Sequence, residues 1–243
     1  MFSWARTGAF LIGVTVTAQA QADGLIFDVV DQVGWTCPSN ARPTICLMPP
    51  FIDLLSQRSG IKIRLEKMPL TRIYERLQAG QSQLAHSPAI VPGVEFVGES
   101  FTVPLIAVGR SGMSLAKYDD LYRLRGVGVM RKARFGHKFD TDPLITKVEV
   151  VEVSTALRML AAGRLDAVVT TALSVAAQAK EEDMRPVFGS RLILAQLPFY
   201  VVAAEGRTQD PAIQAVTKAL AEMKADGTLE RLLADTVGTA LTQ

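Results

Sequence analysis

Between Ser154 and Thr171 the chain reads STALRMLAAGRLDAVVTT: one helix, a glycine stop and one buried strand. Ser154 is the expected cap, and Leu157, Leu160 and Ala161 form an apolar stripe at helical spacing. Gly163 supplies the left-handed position that ends the helix. Leu165 to Val169 then fits a short strand buried on both faces. The same phrase occurs earlier, where the helix Ile73 to Ala79 ends at Gly80 and Gln83 to Ser87 follows as a strand. Two such units far apart predict two similar α/β lobes, with a cleft between them.

The rest of the chain alternates in the same way. Strands are expected at Leu25–Val30, 61–65, 101–108, 126–130 and 148–151, with a long apolar β-rich stretch at 192–203. Helices are expected at Phe51–Ser59 behind Pro49-Pro50, at Leu70–Ala79 behind Pro69, from Ala172 behind a Thr171 cap, and after Asp210-Pro211. Ile213, Val216, Leu220 and Met223 lie on one face of the last of these. Such alternation predicts mostly parallel sheets, whose ligands bind beyond the carboxyl ends of the strands. The loops after Val30, Leu84, Met130 and Val169 would then surround one cleft.

The first 22 residues read as a cleaved signal peptide. Arg6 precedes a short apolar core, Ala9–Thr17, and two A-x-A sites end at Ala20 and Ala22. That core is shorter than the roughly 20 residues that span a bilayer. The mature protein is therefore expected in a periplasm, starting at Gln21 or Asp23. Removing Arg6 leaves a nearly neutral chain, so nothing suggests a nucleic-acid partner. In an exported chain, Cys37 and Cys46, the only two cysteines, read as a disulfide that stiffens the loop after the first strand. Closing so short a loop contributes about 2.5–3 kcal/mol in the chain-entropy model. Neither His86 nor His137 stands at metal-ligand spacing to them, and no metal or cofactor is expected.

The order of these pieces resembles the bacterial periplasmic solute-binding proteins of the polar amino-acid ABC importers, called family 3. The residues that carry the resemblance are Phe51-Ile52-Asp53-Leu54-Leu55, Pro69 and Arg72 with Leu77 and Gly80, Glu99 to Pro104, Asp120-Leu121 to Val129, Leu160 to Val169, and Asp210 to Leu229. The resemblance implies an α/β fold of the type II periplasmic binding protein kind. Each lobe would be a mostly parallel sheet flanked by helices, and two crossing strands would join them. Residues 23–106 and 198–243 would form lobe 1 and residues 107–197 lobe 2, with crossings near Leu105–Gly109 and Ala195–Tyr200. It also implies a monomer that passes a small solute to the membrane permease of an ABC importer, with no catalytic residues.

The sequence departs from that family at the ligand clamp. Amino-acid receptors carry an arginine where this chain has Ile90 to Phe96, and an aspartate where it has Thr170-Thr171. Gln83 replaces a further acid, and Asp166 reads as structural. A basic loop, Arg131-Lys132-Ala133-Arg134, follows the strand ending at Met130, where the family has small residues. Arg131 and Arg134 would hold an anionic group bidentately beside a helix N-terminus, or the loop is a solvated surface. Trp35 would stack on a ligand or pack. His86, with Ser87 after it, would face the cleft or be a structural histidine. Arg72 reads as a salt-bridge residue. The candidate ligand-binding set is thus Trp35, His86, Ser87, Arg131, Arg134, Thr170 and Thr171, for a small polar, anionic solute. Two other functions compete. One is a periplasmic accessory or sensory partner of a dehydrogenase or a histidine kinase, favoured by loss of the clamp. The other is a dehydratase-like enzyme using Asp31, Glu95 or Glu99 as a cleft acid.

Overall fold

A computed structural model describes residues 24–37, 45–181 and 185–237. The expected signal peptide and its cleavage sites lie outside them. Among the described residues no helix is long and apolar enough to cross a membrane.

Two parallel three-stranded sets are tied together by one long antiparallel ribbon. In the first set β1 (Leu25–Val30) lies between β2 (Ile63–Met68) and β3 (Leu84–Ser87). In the second β5 (Val127–Met130) lies between β6 (Lys147–Val150) and β7 (Ala167–Thr171). The ribbon is β4 (Val94–Arg110) against β8 (Phe188–Ala204). The resulting order is β2-β1-β3-β8-β4-β7-β5-β6. β3 meets β8, and β7 meets β4, each antiparallel, so the two halves mirror one another in connectivity. The two helix-glycine-strand phrases occupy equivalent places in them. α2 (Leu70–Gln78) turns at Gly80 (φ +71°) into β3, and α4 (Val153–Ala161) turns at Gly163 (φ +69°) into β7.

The ribbon is two-stranded only where neither set reaches it. The β7 ladder starts at Leu105 and the β3 ladder at Tyr200, which leaves Thr102–Pro104 paired with Gln196–Pro198 alone. Pro104 and Pro198 are tolerated there because each strand has a free edge and a missing N–H disrupts no second ladder. On β4 the crossing stretch therefore lies just before the expected Leu105–Gly109, which pair with β7, and on β8 it lies inside the expected Ala195–Tyr200. β4 also starts earlier than its apolar pattern predicts.

Helices cover both faces. α1 (Met48–Ser59) and α6 (Pro211–Ala225) pack on the first half, and Ile213, Val216, Leu220 and Met223 are buried as the periodicity predicts. Asp210 caps α6 by accepting from the Ala212 N–H at 3.0 Å. α7 (Thr228–Val237) follows the break at Gly227. In the second half α3 (His137–Thr141) is short, and the N-cap position of α4 is Glu152, without a side-chain cap, rather than Ser154, which lies inside the helix. The Ser154 hydroxyl bonds the Glu152 carboxylate instead. α5 (Ala172–Glu181) follows β7, yet Leu173, Ala176 and Ala177 join the core cluster of the first half. This helix therefore packs across the boundary between the two sets.

Candidate functional site

The carboxyl ends of β1 and β3 face those of β5 and β7 across a cavity of about 40 Å³. That is room for a few water molecules or a ligand of a few heavy atoms. Val30, Trp35, Leu70 and His86 line it from the first half. Met130, Ala133, Arg134, Phe135, Thr170 and Thr171 line it from the second, and Leu197 and Phe199 come from the ribbon. A larger hollow of about 1080 Å³ lies at the opposite end of β1 and β2, between Gly60–Arg64 and Arg207, and draws on one half only.

Trp35 is held by the turn after β1. The Gln32 carbonyl accepts from the Trp35 and Thr36 N–H groups, at 3.1 and 3.0 Å. Gly34 sits at φ +91°, and a Cβ there would come within 2.9 Å of the Leu173 carbonyl oxygen. Only glycine lets this loop lie against α5. The Cys37–Cys46 disulfide forms as expected, and Leu47 and Met48 donate back to the Gly34 and Trp35 carbonyls. Trp35 is 1% exposed, with its ring 4.3 Å from Phe199 and 5.0 Å from His86. It packs and lines the cavity at once.

His86 is 2% exposed and stacks on Phe199 at 4.9 Å, nearly parallel. Its Nε2 lies 2.9 Å from Ser100 Oγ, and that hydroxyl donates its one proton to the Phe199 carbonyl at 3.0 Å. Nε2 must therefore carry the hydrogen and donate to Ser100. Nδ1 is left as a bare acceptor, buried and without a hydrogen-bond partner among the described residues. Burial pushes the imidazole pKa down from 6.5 to about 3, so the ring is neutral at pH 7.

A pH dependence follows. The unfolded chain binds a proton at His86 below about pH 6.5 and the folded chain only near pH 3. The stability this group supports is complete above pH 6.5 and is lost as pH falls toward 3. Between pH 8 and pH 5 the loss is about 2 kcal/mol. In urea unfolding at both pH values, the wild type should lose about 2 kcal/mol more than His86→Gln between pH 8 and pH 5. Equal losses would show that the ring is not buried neutral.

The two arginines of the basic loop part company. Lys132 takes a left-handed conformation, φ +61°, and turns the chain between them. Arg131 is exposed and pairs with Glu149 on β6 at 3.4 Å, outside the cavity lining. Arg134 lines the cavity at its mouth and, among the described residues, makes no ion pair. Its charge reaches Tyr74, where it opposes the upward push of burial on the phenol. The loop gains nothing from a helix N-terminus. α3 starts only at His137, and the Asp140 carboxylate already accepts from the Phe135 and Gly136 N–H groups.

Thr170 and Thr171 end β7 and are buried. Thr171 Oγ1 accepts from the Ser174 N–H at 3.3 Å, capping α5, and lies 3.1 Å from the Ser174 hydroxyl. Gln32 Nε2 donates to that hydroxyl at 2.6 Å, which links the two halves beside the cavity. Ser87 does not line the cavity. Its hydroxyl donates to the Ala89 carbonyl at 2.5 Å and accepts from Tyr74 at 2.6 Å. Sequence reasoning missed Gln32 and Phe199, though Gln32 stands in the loop that carries Trp35.

None of the candidate acids reaches the cavity. Asp31 accepts from Thr36, Glu95 from Thr208, and Glu99 pairs with Lys224. Among the described residues no carboxylate lines it. Asp166 is structural, bound by Arg110 and Arg125. Arg72 is exposed, and the ion pairs of α2 belong to Arg76, with Asp28 and Glu66.

No protein-family model and no curated protein matches the sequence. Solved structures do match in fold. An ancestral arginine-binding protein bound to arginine is 20% identical with a TM-score of 0.70, over 88% of this chain and 98% of that one. The amino acid ABC transporter substrate-binding protein AbpA of Streptococcus pneumoniae, bound to L-arginine, is 15% identical with a TM-score of 0.70, over 89% and 95%. A histidine kinase sensor domain with similarity to periplasmic binding proteins is 15% identical with a TM-score of 0.71, over 90% and 98%. At these identities the likeness is one of architecture, and the chain has the α/β, type II fold of the periplasmic binding proteins.

Proposed function

We propose that this protein is a non-catalytic periplasmic receptor for a small anionic solute, a monomer that delivers it to the membrane permease of an ABC importer. Residues 24–101 and 199–237 act as one lobe and 105–195 as the other, closing about the ribbon at Thr102–Pro104 and Gln196–Pro198. The observation that carries this reading is Arg134, a guanidinium that among the described residues has no ion-pair partner, at the mouth of a cavity that no described carboxylate lines. A cationic ligand would find no counter-ion among the described residues there, and an anionic one finds Arg134.

The test uses Trp35 as its own reporter. With Trp4 in the expected signal peptide, Trp35 is the one tryptophan of the mature chain. Titration with small carboxylates and phosphates should change its emission. Arg134→Ala should weaken the best binder about tenfold, which is about 1.4 kcal/mol, because an exposed guanidinium is worth less than a desolvated one. Arg131→Ala should bind as the wild type does. If Arg134→Ala also binds unchanged, the basic loop is only a solvated surface.

A sensory role is the second reading, favoured by the likeness to a histidine kinase sensor domain at a TM-score of 0.71. Solute uptake by cells lacking the protein separates the two: unchanged uptake with altered kinase phosphorylation supports the sensor.

A further inference from the structure

His86 places an unusual demand on whatever fills the cavity. Its Nε2–H is spent on Ser100, whose own proton is spent on the Phe199 carbonyl. Nδ1 is therefore a buried lone pair that no group among the described residues serves. Leaving a buried acceptor unmet is costly, and supplying its donor recovers that cost. His86 and Arg134 line the same cavity. From the receptor reading above, on which this step rests, we infer that the solute is a small hydroxycarboxylate, whose carboxylate faces Arg134 and whose hydroxyl donates to His86 Nδ1. A simple carboxylate leaves Nδ1 unmet. An α-amino acid also has a donor, but its ammonium would enter a cavity where no described carboxylate balances it. A cavity of about 40 Å³ restricts the class to a few heavy atoms.

Calorimetric titration of the mature protein at pH 7 with glycolate, acetate, methoxyacetate and glycine tests this. Glycolate should bind about tenfold more tightly than acetate or methoxyacetate, which share its carboxylate and lack the donor. In His86→Gln the amide can still reach Ser100 but nothing stands at Nδ1, so glycolate should fall to within twofold of acetate. His86→Asn, whose amide oxygen replaces Nδ1, should restore part of the preference. If the variants do not fold, nitrogen NMR of the wild type decides. The bare Nδ1 resonance of His86 should shift on adding glycolate and stay in place on adding acetate.

Glycolate and acetate binding equally, both weakened in Arg134→Ala, would overturn the hydroxyl inference and leave the anionic-solute reading intact. Glycine binding most tightly would overturn the hydroxycarboxylate class. If neither the carboxylates nor inorganic phosphate binds, both readings fall.

Discussion

Trp35→Ala is expected to lower the free energy of unfolding by about 3–5 kcal/mol, the range for deleting a large aromatic side chain from a core. Three observations put Trp35 in that range. It is 1% exposed, it packs within 4.3 Å of the Phe199 ring centroid, and its backbone is fixed on both sides, by Gln32 and by Met48. The neighbours have little freedom to close over the gap. Phe199 is tied into the β4–β8 ribbon, and His86 is held on β3 through Ser100. The void would instead merge with the existing cavity, where water could enter beside Nδ1. Trp35→Phe keeps most of the ring contact and should cost under about 1.5 kcal/mol. Unfolding in urea followed by far-ultraviolet circular dichroism measures both, since the substitution removes the fluorophore. A loss below 1 kcal/mol for the alanine variant would mean that the loop relaxes and that Trp35 is a ligand contact rather than a packing residue.

The fold was legible where chemistry is local. The two helix-glycine-strand phrases predict matching halves because Gly80 and Gly163 need left-handed backbone, and both have it. The start at Asp210-Pro211 and the apolar face of α6 follow from capping and periodicity alone. β4 was harder. Its first half carries Glu95, Gly98 and Glu99 in place of an apolar run. There β7 does not reach β4, and Glu95 reaches Thr208 and Glu99 reaches Lys224. Gly98 marks the close approach of α6, since a Cβ would meet Leu220 Cδ2 at 2.4 Å. The site depends still more on distant pairing. Arg131 and Arg134 carry the same signal in sequence, and only the turn at Lys132 sends one to Glu149 and leaves the other at the cavity. The bare nitrogen of His86 follows from Ser100 and Phe199, which β3, β4 and β8 bring together from three parts of the chain.

Asp166→Ala should cost about 2–4 kcal/mol at pH 7, from the loss of charge-assisted hydrogen bonds. The buried carboxylate accepts from the Arg125 backbone N–H at 2.9 Å, from Arg125 Nη2 at 2.7 Å and from Arg110 Nε at 3.3 Å. It thereby ties the end of β4 and the approach to β5 to the start of β7. The cost stays below that of breaking a fully buried ion pair, because the Arg125 side chain is 73% exposed and regains water when the carboxylate is gone. Asp166→Asn keeps an acceptor for the Arg125 N–H and should fall between alanine and the wild type. The sign of the pH dependence separates this group from His86. Hydrogen bonds from Arg125 hold the Asp166 carboxyl well below the usual carboxylate range. Its contribution is complete above the unfolded value of about 3.9 and is lost as pH falls below it. The stability difference between wild type and Asp166→Ala should therefore be flat from pH 8 to pH 5 and shrink below pH 4. The His86→Gln difference changes across the upper window, where the unfolded imidazole gains its proton. If the Asp166→Ala difference stays flat below pH 4 as well, the carboxylate is not held by its arginines in the folded state.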